Sequence, residues 1–225
     1  MGSEALAQFD ESGTVHLAGA AMSALDALRC ALARWPDGES GTRISGDSEL
    51  RKLLEGSGPI GCIVAGLIGK EVFPVRAISF DKNDINNWAL GWHQDRTIAV
   101  KRRCDLPGYG PWTRKQGILH VQPPFSVIAG LRTIRIHLDP VSPSNGPLLV
   151  AAGSHRLGLV AAEQCKKLAE TMPRMACLAN AGDIWAYHTA ILHASERSEP
   201  GQRRRVLQVD YASDQLQVPL EWLGI

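Results

Sequence analysis

The chain has 225 residues, 44% of them hydrophobic and 21% charged, with a formal net charge of +1. That size suits one all-β domain with a full core, and the near-neutral balance argues against a nucleic-acid or membrane-surface role. Five cysteines (Cys30, Cys62, Cys104, Cys165 and Cys177) lie far apart with no C-x-x-C pair, which speaks against structural disulfides or a thiolate zinc site and suits a reducing cytoplasm.

No cationic stretch followed by an apolar run opens the chain, so no secretory signal is expected and the protein is read as cytoplasmic. Residues 14–17 read as a short strand. Over residues 19–35, Met22, Leu25, Leu28 and Leu32 recur at three and four, which predicts a helix with one apolar stripe. Pro36-Asp37-Gly38 stops it. Residues 38–46, rich in Gly, Ser and Thr, read as a loop, and residues 48–55 as a short helix with Leu50, Leu53 and Leu54 inward. After Gly58-Pro59 the texture turns to β. Residues 60–68, 72–80, 92–100, 125–138, 148–151, 184–187 and 204–211 are strand candidates between Gly, Pro, Asn and Asp clusters. The first of these is the longest apolar run and too short to span a bilayer. Residues 102–124, with four prolines and no period, read as a long loop that serves as a lid or binding edge. Residues 161–171 form a modest helix with Cys165 and Leu168 inward. The order predicts a mainly β fold with flanking helices: a jelly roll, or similar double-sheet barrel, in one domain over 1–225. Its helical part is about 1–58 and its β core about 60–212.

The chemistry concentrates in Trp92-His93-Gln94-Asp95. In an extended chain, His93 and Asp95 point to one side and Gln94 to the other. Joined by a distal histidine, they make the two-imidazole, one-carboxylate set of non-haem Fe(II) oxygenases, with the remaining metal positions open. His-x-Asp alone is more simply a hydrogen-bonded strand histidine. The set gains weight from Gly182-Asp183 turning into an apolar strand, His193 beyond it, and an arginine opening the next strand. His188 competes as distal ligand; His193 is preferred for the Ala-Ser that follows and for its spacing to Arg204. Alternation puts Arg204, Val206, Gln208 and Asp210 on one face and leaves open which face is inward. An arginine here could dock a carboxylate co-substrate through paired hydrogen bonds. Arg203 and Arg205 read as solvated. Trp88, Trp92, Trp112, Trp185 and Trp222 read first as packing residues. His120 and His137 read as hydrogen-bonded structural histidines.

These segments, with residues 138–148 (LDPVSPSNGPL), 153–158 (GSHRLG), 193–195 (HAS) and 203–206 (RRRV), resemble the phytanoyl-CoA dioxygenase-like (PhyH) branch of the Fe(II)/2-oxoglutarate-dependent oxygenases. They follow the family's order over roughly residues 75–212. The resemblance implies a cupin-like double-stranded β-helix in which His93, Asp95 and His193 bind Fe(II). It implies that Arg204, assisted by Ser195, grips the distal carboxylate of 2-oxoglutarate, and that Arg135 lines the co-substrate pocket. Lys82, Asn87 and Trp88 are expected to touch co-substrate or substrate, and Tyr109 and Trp112 in the long loop to reach a substrate pocket. Residues 153–156 are expected to form a structural turn. Related halogenases carry a small residue where Asp95 stands, so the carboxylate implies hydroxylation of a small organic substrate with O2, releasing succinate and CO2. Two other readings use the same fold: a cupin-like metal enzyme without 2-oxoglutarate, and a non-catalytic small-molecule-binding relative.

Overall fold

A computed structural model describes residues 3–36 and 40–225, so Asp37 and Gly38 of the expected helix stop lie outside the described residues. The chain runs through α1 (Ser3–Ser12), β1 (Thr14–Leu17), α2 (Leu25–Leu32), β2 (Thr42–Ile44), α3 (Ser48–Leu54), α4 (Gly61–Ile68), β3 (Phe73–Lys82) and β4 (Leu90–His93). It continues with β5 (Ile98–Ala99), β6 (Trp112–Lys115), β7 (Ile118–Val121), α5 (Phe125–Gly130), β8 (Arg132–His137) and β9 (Leu148–Ala151). The last elements are α6 (Cys165–Glu170), β10 (Arg174–Cys177), β11 (Ile184–His188), β12 (His193–Ser195) and β13 (Arg204–Ala212).

Two antiparallel sheets form the β core. One has the order β1-β11-β8-β13-β3-β2 and the other β10-β9-β12-β4, while β5-β7-β6 make a third, smaller sheet. The six-stranded sheet alternates, with one register shift where Asp210 and Tyr211 meet β3. Ala77, Ile134, Ile136, Ile184, Ala186, Leu207 and Val209 turn outward and pack with α2, α3 and α4 into the largest core cluster. Tyr211 donates its hydroxyl to the Leu54 carbonyl at 2.8 Å and ties β13 to α3. Asp47 caps α3 by accepting from the Glu49 and Leu50 amides, which fixes where that helix starts. Between the two sheets, Leu148, Val150 and Cys177 meet Trp185, Tyr187 and Ile191 in a small apolar plug. This is the expected jelly roll, with α2, α3 and α4 on the outer face of the six-stranded sheet and α6 against the other sheet.

Several local expectations differ from the structure. Residues 60–68 are helical in α4, not a strand. An apolar run of that length has no period to separate the two, and burial of Gly61, Val64 and Leu67 at every third position settles it as a helix. Residues 125–138 split into α5 and β8 for the same reason. Strand pairing over 92–100 breaks after His93 and resumes at β5. Inside residues 102–124 lies a hairpin, β6–β7, whose Gln116-Gly117 turn has φ of 50° and 78°. Two positive φ values make the tight hairpin turn that Asn-Gly usually signals, and Gln-Gly hid it. Residues 42–44, read as loop, pair with β3 as β2. The helix expected over 19–35 shortens to a 3-10 turn and α2, with Met22 57% exposed. α1 had no sequence signal strong enough to predict it.

Candidate active site

The inner face of the six-stranded sheet is unusually polar, and register arranges it in rows. Arg76 lies opposite Asp210, which lies opposite Thr133; Ile78 opposite Gln208 opposite Arg135; Phe80 opposite Val206 opposite His137; Lys82 opposite Arg204. Across the barrel, β4 and β12 set His93 directly against His193, their ring centroids 4.2 Å apart. Directly opposed residues on antiparallel strands are the closest a sheet can bring two side chains.

Asp95 arrives differently. Beyond β4, Gln94 is buried and turned away: its amide donates to the Ala190 and Gly158 carbonyls and accepts from the Val160 amide at 2.9 Å. That clamp swings Asp95 onto the side of His93, as alternation predicts even though the strand has ended. Ligand atoms of His93, Asp95 and His193 all lie within 4.8 Å of one another, and no other such trio occurs among the described residues. His188 lies elsewhere, stacked on Phe9 at 4.7 Å and tilted against His155 at 4.4 Å.

The protonation states suit a divalent cation. His93 Nδ1 bonds the Gly91 carbonyl at 2.7 Å and His193 Nδ1 the Ile191 carbonyl at 3.0 Å. A carbonyl can only accept, so each Nδ1 carries a proton and Nε2 is the nitrogen left to face a ligand. Burial, followed by the His93 ring, pushes His193 down to about 3 and keeps it neutral. Burial opposes the charge of Asp95, but the Arg76 guanidinium outweighs it and holds the carboxyl well below its usual range. Arg76 Nη2 donates to Asp95 Oδ2 at 3.0 Å and Arg76 Nε to Asp210 at 2.5 Å, while Thr133 donates to the other Asp210 oxygen. Gln208 offers its NH2 to the same Asp95 oxygen at 3.4 Å and takes donors from Arg135 and Tyr187 on its carbonyl. One Asp95 oxygen is thus engaged, and the other is left for a ligand bond.

Arg204, 2% exposed, lines a small recess beside the histidines with Ser195, Trp88, Phe80, Leu148 and Arg135. Its Nη1 donates to the Gly146 carbonyl, and its buried Nε finds no partner among the described residues. Lys82, fully buried, donates to Ser195 Oγ at 3.1 Å and stands 4.9 Å over the Trp88 ring. Burial, then the nearby arginines, push Lys82 down to about 7; burial and Arg135 push Arg204 to about 9. Among the described residues no carboxylate pairs with Lys82, Arg135 or Arg204. Three cations crowded together without a counter-charge form a receptor for a dianion.

Of the expected site residues, the structure brings together His93, Asp95, His193, Arg204, Ser195, Arg135 and Lys82. It does not bring Asn87, whose side-chain amide is spent on the Ser198 backbone in both directions. Tyr109 lines a separate cavity with Pro124 and Trp222, and Trp112 packs in the core around Val121 beneath Arg103. Trp88, read as packing, borders the recess. His137 is buried but, against expectation, neither ring nitrogen has a hydrogen-bond partner among the described residues. Arg203 and Arg205 form half-exposed ion pairs with Asp81 and Asp139. The GSHR turn is structural: Gly153 has φ +82°, and Ser154 bridges the Ala151 carbonyl and the Leu192 amide.

A family model, phytanoyl-CoA dioxygenase (PhyH), matches residues 64–206. The chain belongs to that family. No curated protein sequence matches it. Among solved structures, this PhyH member is similar to AviO1 from Streptomyces viridochromogenes Tue57, at 19% identity and TM-score 0.67, over 96% of each chain. It is also similar to EctD from S. alaskensis with 2-oxoglutarate and 5-hydroxyectoine, at 17% identity and TM-score 0.67, over 100% of this chain and 80% of that one. HygX from Streptomyces hygroscopicus, with nickel, 2-oxoglutarate and hygromycin B bound, shares 16% identity and TM-score 0.64 over 94% and 87%. At these identities the likeness is one of fold.

Sequence reading missed Arg76, Gln208 and Asp210 as the support of Asp95, and Gln94 as the clamp. A signal existed: Arg76 lies between Val75 and Ala77 and Asp210 between Val209 and Tyr211, where a charge must be paired to be buried.

Proposed function

We propose that this PhyH member is an Fe(II)- and 2-oxoglutarate-dependent dioxygenase that hydroxylates a small organic substrate: R–H, O2 and 2-oxoglutarate give R–OH, succinate and CO2. The observation that carries the reading is the convergence of His93, Asp95 and His193 within 4.8 Å, beside an uncompensated Arg204–Lys82–Arg135 cluster. When bound, ferrous iron and 2-oxoglutarate supply O2 activation and the oxidising power for the C–H bond.

The chain's residues do the rest. His93 and His193 present Nε2 lone pairs on adjacent strands, and Asp95 offers one oxygen while Arg76 restrains the other. Arg204 and Lys82, with the Ser195 hydroxyl between Lys82 and Gly146, receive the distal carboxylate of the co-substrate. Leu148, Phe80 and Trp88 give its methylene chain dry walls. The Asp95 carboxylate supports hydroxylation, since a halide ligand would need that position vacated. The 2-oxoglutarate bound in HygX and EctD agrees with a co-substrate here. The reading takes 1–225 as one working unit acting in the cytoplasm on a small molecule, with O2 as co-substrate and no nucleic acid. Five free cysteines and a formal net charge of +1 support that setting. No helix of the described residues is long and apolar enough to cross a membrane.

The test is succinate release from 2-oxoglutarate, requiring Fe(II) and O2, in wild type and Asp95→Ala. Wild-type turnover should fall by at least about 100-fold on losing a ligand, a loss on the scale of a removed catalytic interaction. Equal release from both would refute the assignment.

A further inference from the structure

Ser195 lines the recess beside Arg204, but Lys82, the register partner of Arg204, lies fully buried behind that hydroxyl. Its ammonium donates to Ser195 Oγ at 3.1 Å and to the Glu196 carbonyl, and it stands 4.9 Å over the Trp88 ring. Gly146 closes the remaining side, where a Cβ would come within 3.1 Å of Lys82 Nζ. The space around the ammonium is full. Lys82 therefore shares in receiving the co-substrate through Ser195 rather than by touching it.

An ammonium can only donate, so Ser195 Oγ accepts from it and the hydroxyl hydrogen is left for another acceptor. Within the chain that hydrogen has two long partners, the Gly146 and Glu196 carbonyls, each at 3.3 Å. A carboxylate oxygen in the recess is the stronger acceptor and takes it. A neutral amine would undo this arrangement, because its lone pair competes for the same hydrogen and turns it away from the recess.

The surroundings make the proton on Lys82 conditional. Arg204 from β13 and Arg135 from β8 are the charged groups that bear on it, while Asp81 is engaged with Arg203 in a half-exposed pair. Burial, then these two arginines, push Lys82 down to about 7. An anion placed among three crowded cations reverses that effect. By linkage, binding then takes up a proton wherever the free chain has lost it.

Resting on the oxygenase reading, we propose that Lys82 is a positioning residue for the co-substrate: its ammonium sets Ser195 as a donor toward the distal carboxylate, so 2-oxoglutarate and a proton bind together. Co-substrate affinity is thereby tied to pH, falling by up to about tenfold per unit on the alkaline side.

The experiment is calorimetric titration of 2-oxoglutarate into the full chain, anaerobic and saturated with Fe(II), between pH 6 and pH 8. Buffers of low and high ionisation heat count the protons. Uptake should rise with a midpoint near pH 7 toward about one proton per 2-oxoglutarate. Other groups stay out of that window: burial and Arg135 bring Arg204 to about 9, burial holds His137 at about 3, and burial pushes Cys177 up to about 12. Lys82→Met should abolish the uptake and weaken 2-oxoglutarate binding at pH 6 at least tenfold, with Fe(II) affinity unchanged. Ser195→Ala should weaken binding and keep the uptake. The double variant should bind no worse than Lys82→Met alone, since the two side chains act as one unit. Binding without proton uptake, uptake that survives Lys82→Met, or costs that add in full would overturn the proposal and leave the oxygenase reading standing. No binding of 2-oxoglutarate by the wild-type chain would overturn both. The wild-type proton count and its midpoint need no variant, so they decide even where Lys82→Met fails to fold.

Discussion

Asp95 is where the residue scale decides most. A carboxylate with two free oxygens can chelate, rotate or take a proton, whereas one whose Oδ2 is held by Arg76 and Gln208 keeps a single oxygen aimed at the histidines. Outer partners that orient a ligand typically change metal affinity about 10–100-fold, so Arg76→Met should weaken Fe(II) binding by that factor in a competition titration. The same change strands Asp210, which is buried, and breaking a buried pair costs about 3–5 kcal/mol. A urea midpoint lowered accordingly, with unchanged Fe(II) affinity, would mean that Asp95 needs no holding. His93, Asp95 and the outward turn of Gln94 were legible because a period of two is a local property. Arg76 was not, because its partners lie 19 and 134 positions away and only the folded sheet joins them.

The elements that hold the site are set by alternation, and those that hold the sheet are set by close packing. β3, β9, β11 and β13 were readable because they are bounded by Gly, Pro and Asp turns and carry β-branched residues. α4 was not, because Cys62-Ile63-Val64 favours a strand locally and tertiary contact overrides it. Gly61 shows how: a Cβ there would come within 1.8 Å of the Glu55 carbonyl oxygen, so the helix meets α3 only through glycine. Gly61→Ala should cost about 1–3 kcal/mol, the range for overpacking a tight site, read as a lowered urea midpoint. A change under about 0.5 kcal/mol, the usual surface value, would show that α3 and α4 separate easily. The β6–β7 hairpin escaped reading for a different reason. Its turn is made by Gln116 at positive φ, an uncommon choice, and the same side chain donates to the Gly41 carbonyl and accepts from the Arg43 amide.

For the whole molecule, the jelly roll followed from element order, but the depth of its polar interior did not. Burying a row of ionisable groups between two sheets ties stability to pH. Burial, then Arg135 and Arg204, push His137 down to about 3, and burial pushes His120 to about 4. Below pH 6.5, the ordinary histidine value, the unfolded chain takes up protons that these folded imidazoles refuse. Stability is therefore full above that pH and declines as pH falls toward 4, by about 1.4 kcal/mol per unit for each such histidine. His137→Leu should remove one such contribution, flattening urea-derived stability plotted between pH 6 and 4.5. An unaltered slope would mean that His137 is protonated equally in both states.

In the proposed reaction, three ligands and one buried cation cluster bind ferrous iron and 2-oxoglutarate together. Anaerobic addition of 2-oxoglutarate to the Fe(II)-loaded chain, followed by its visible charge-transfer absorption, tests it directly. The band should saturate at one equivalent of iron in wild type and vanish in His193→Ala. In Arg204→Met it should need at least tenfold more 2-oxoglutarate, given about 1.5–3 kcal/mol for each charged hydrogen bond lost. No band in wild type, or the same titration in all three proteins, would contradict the account.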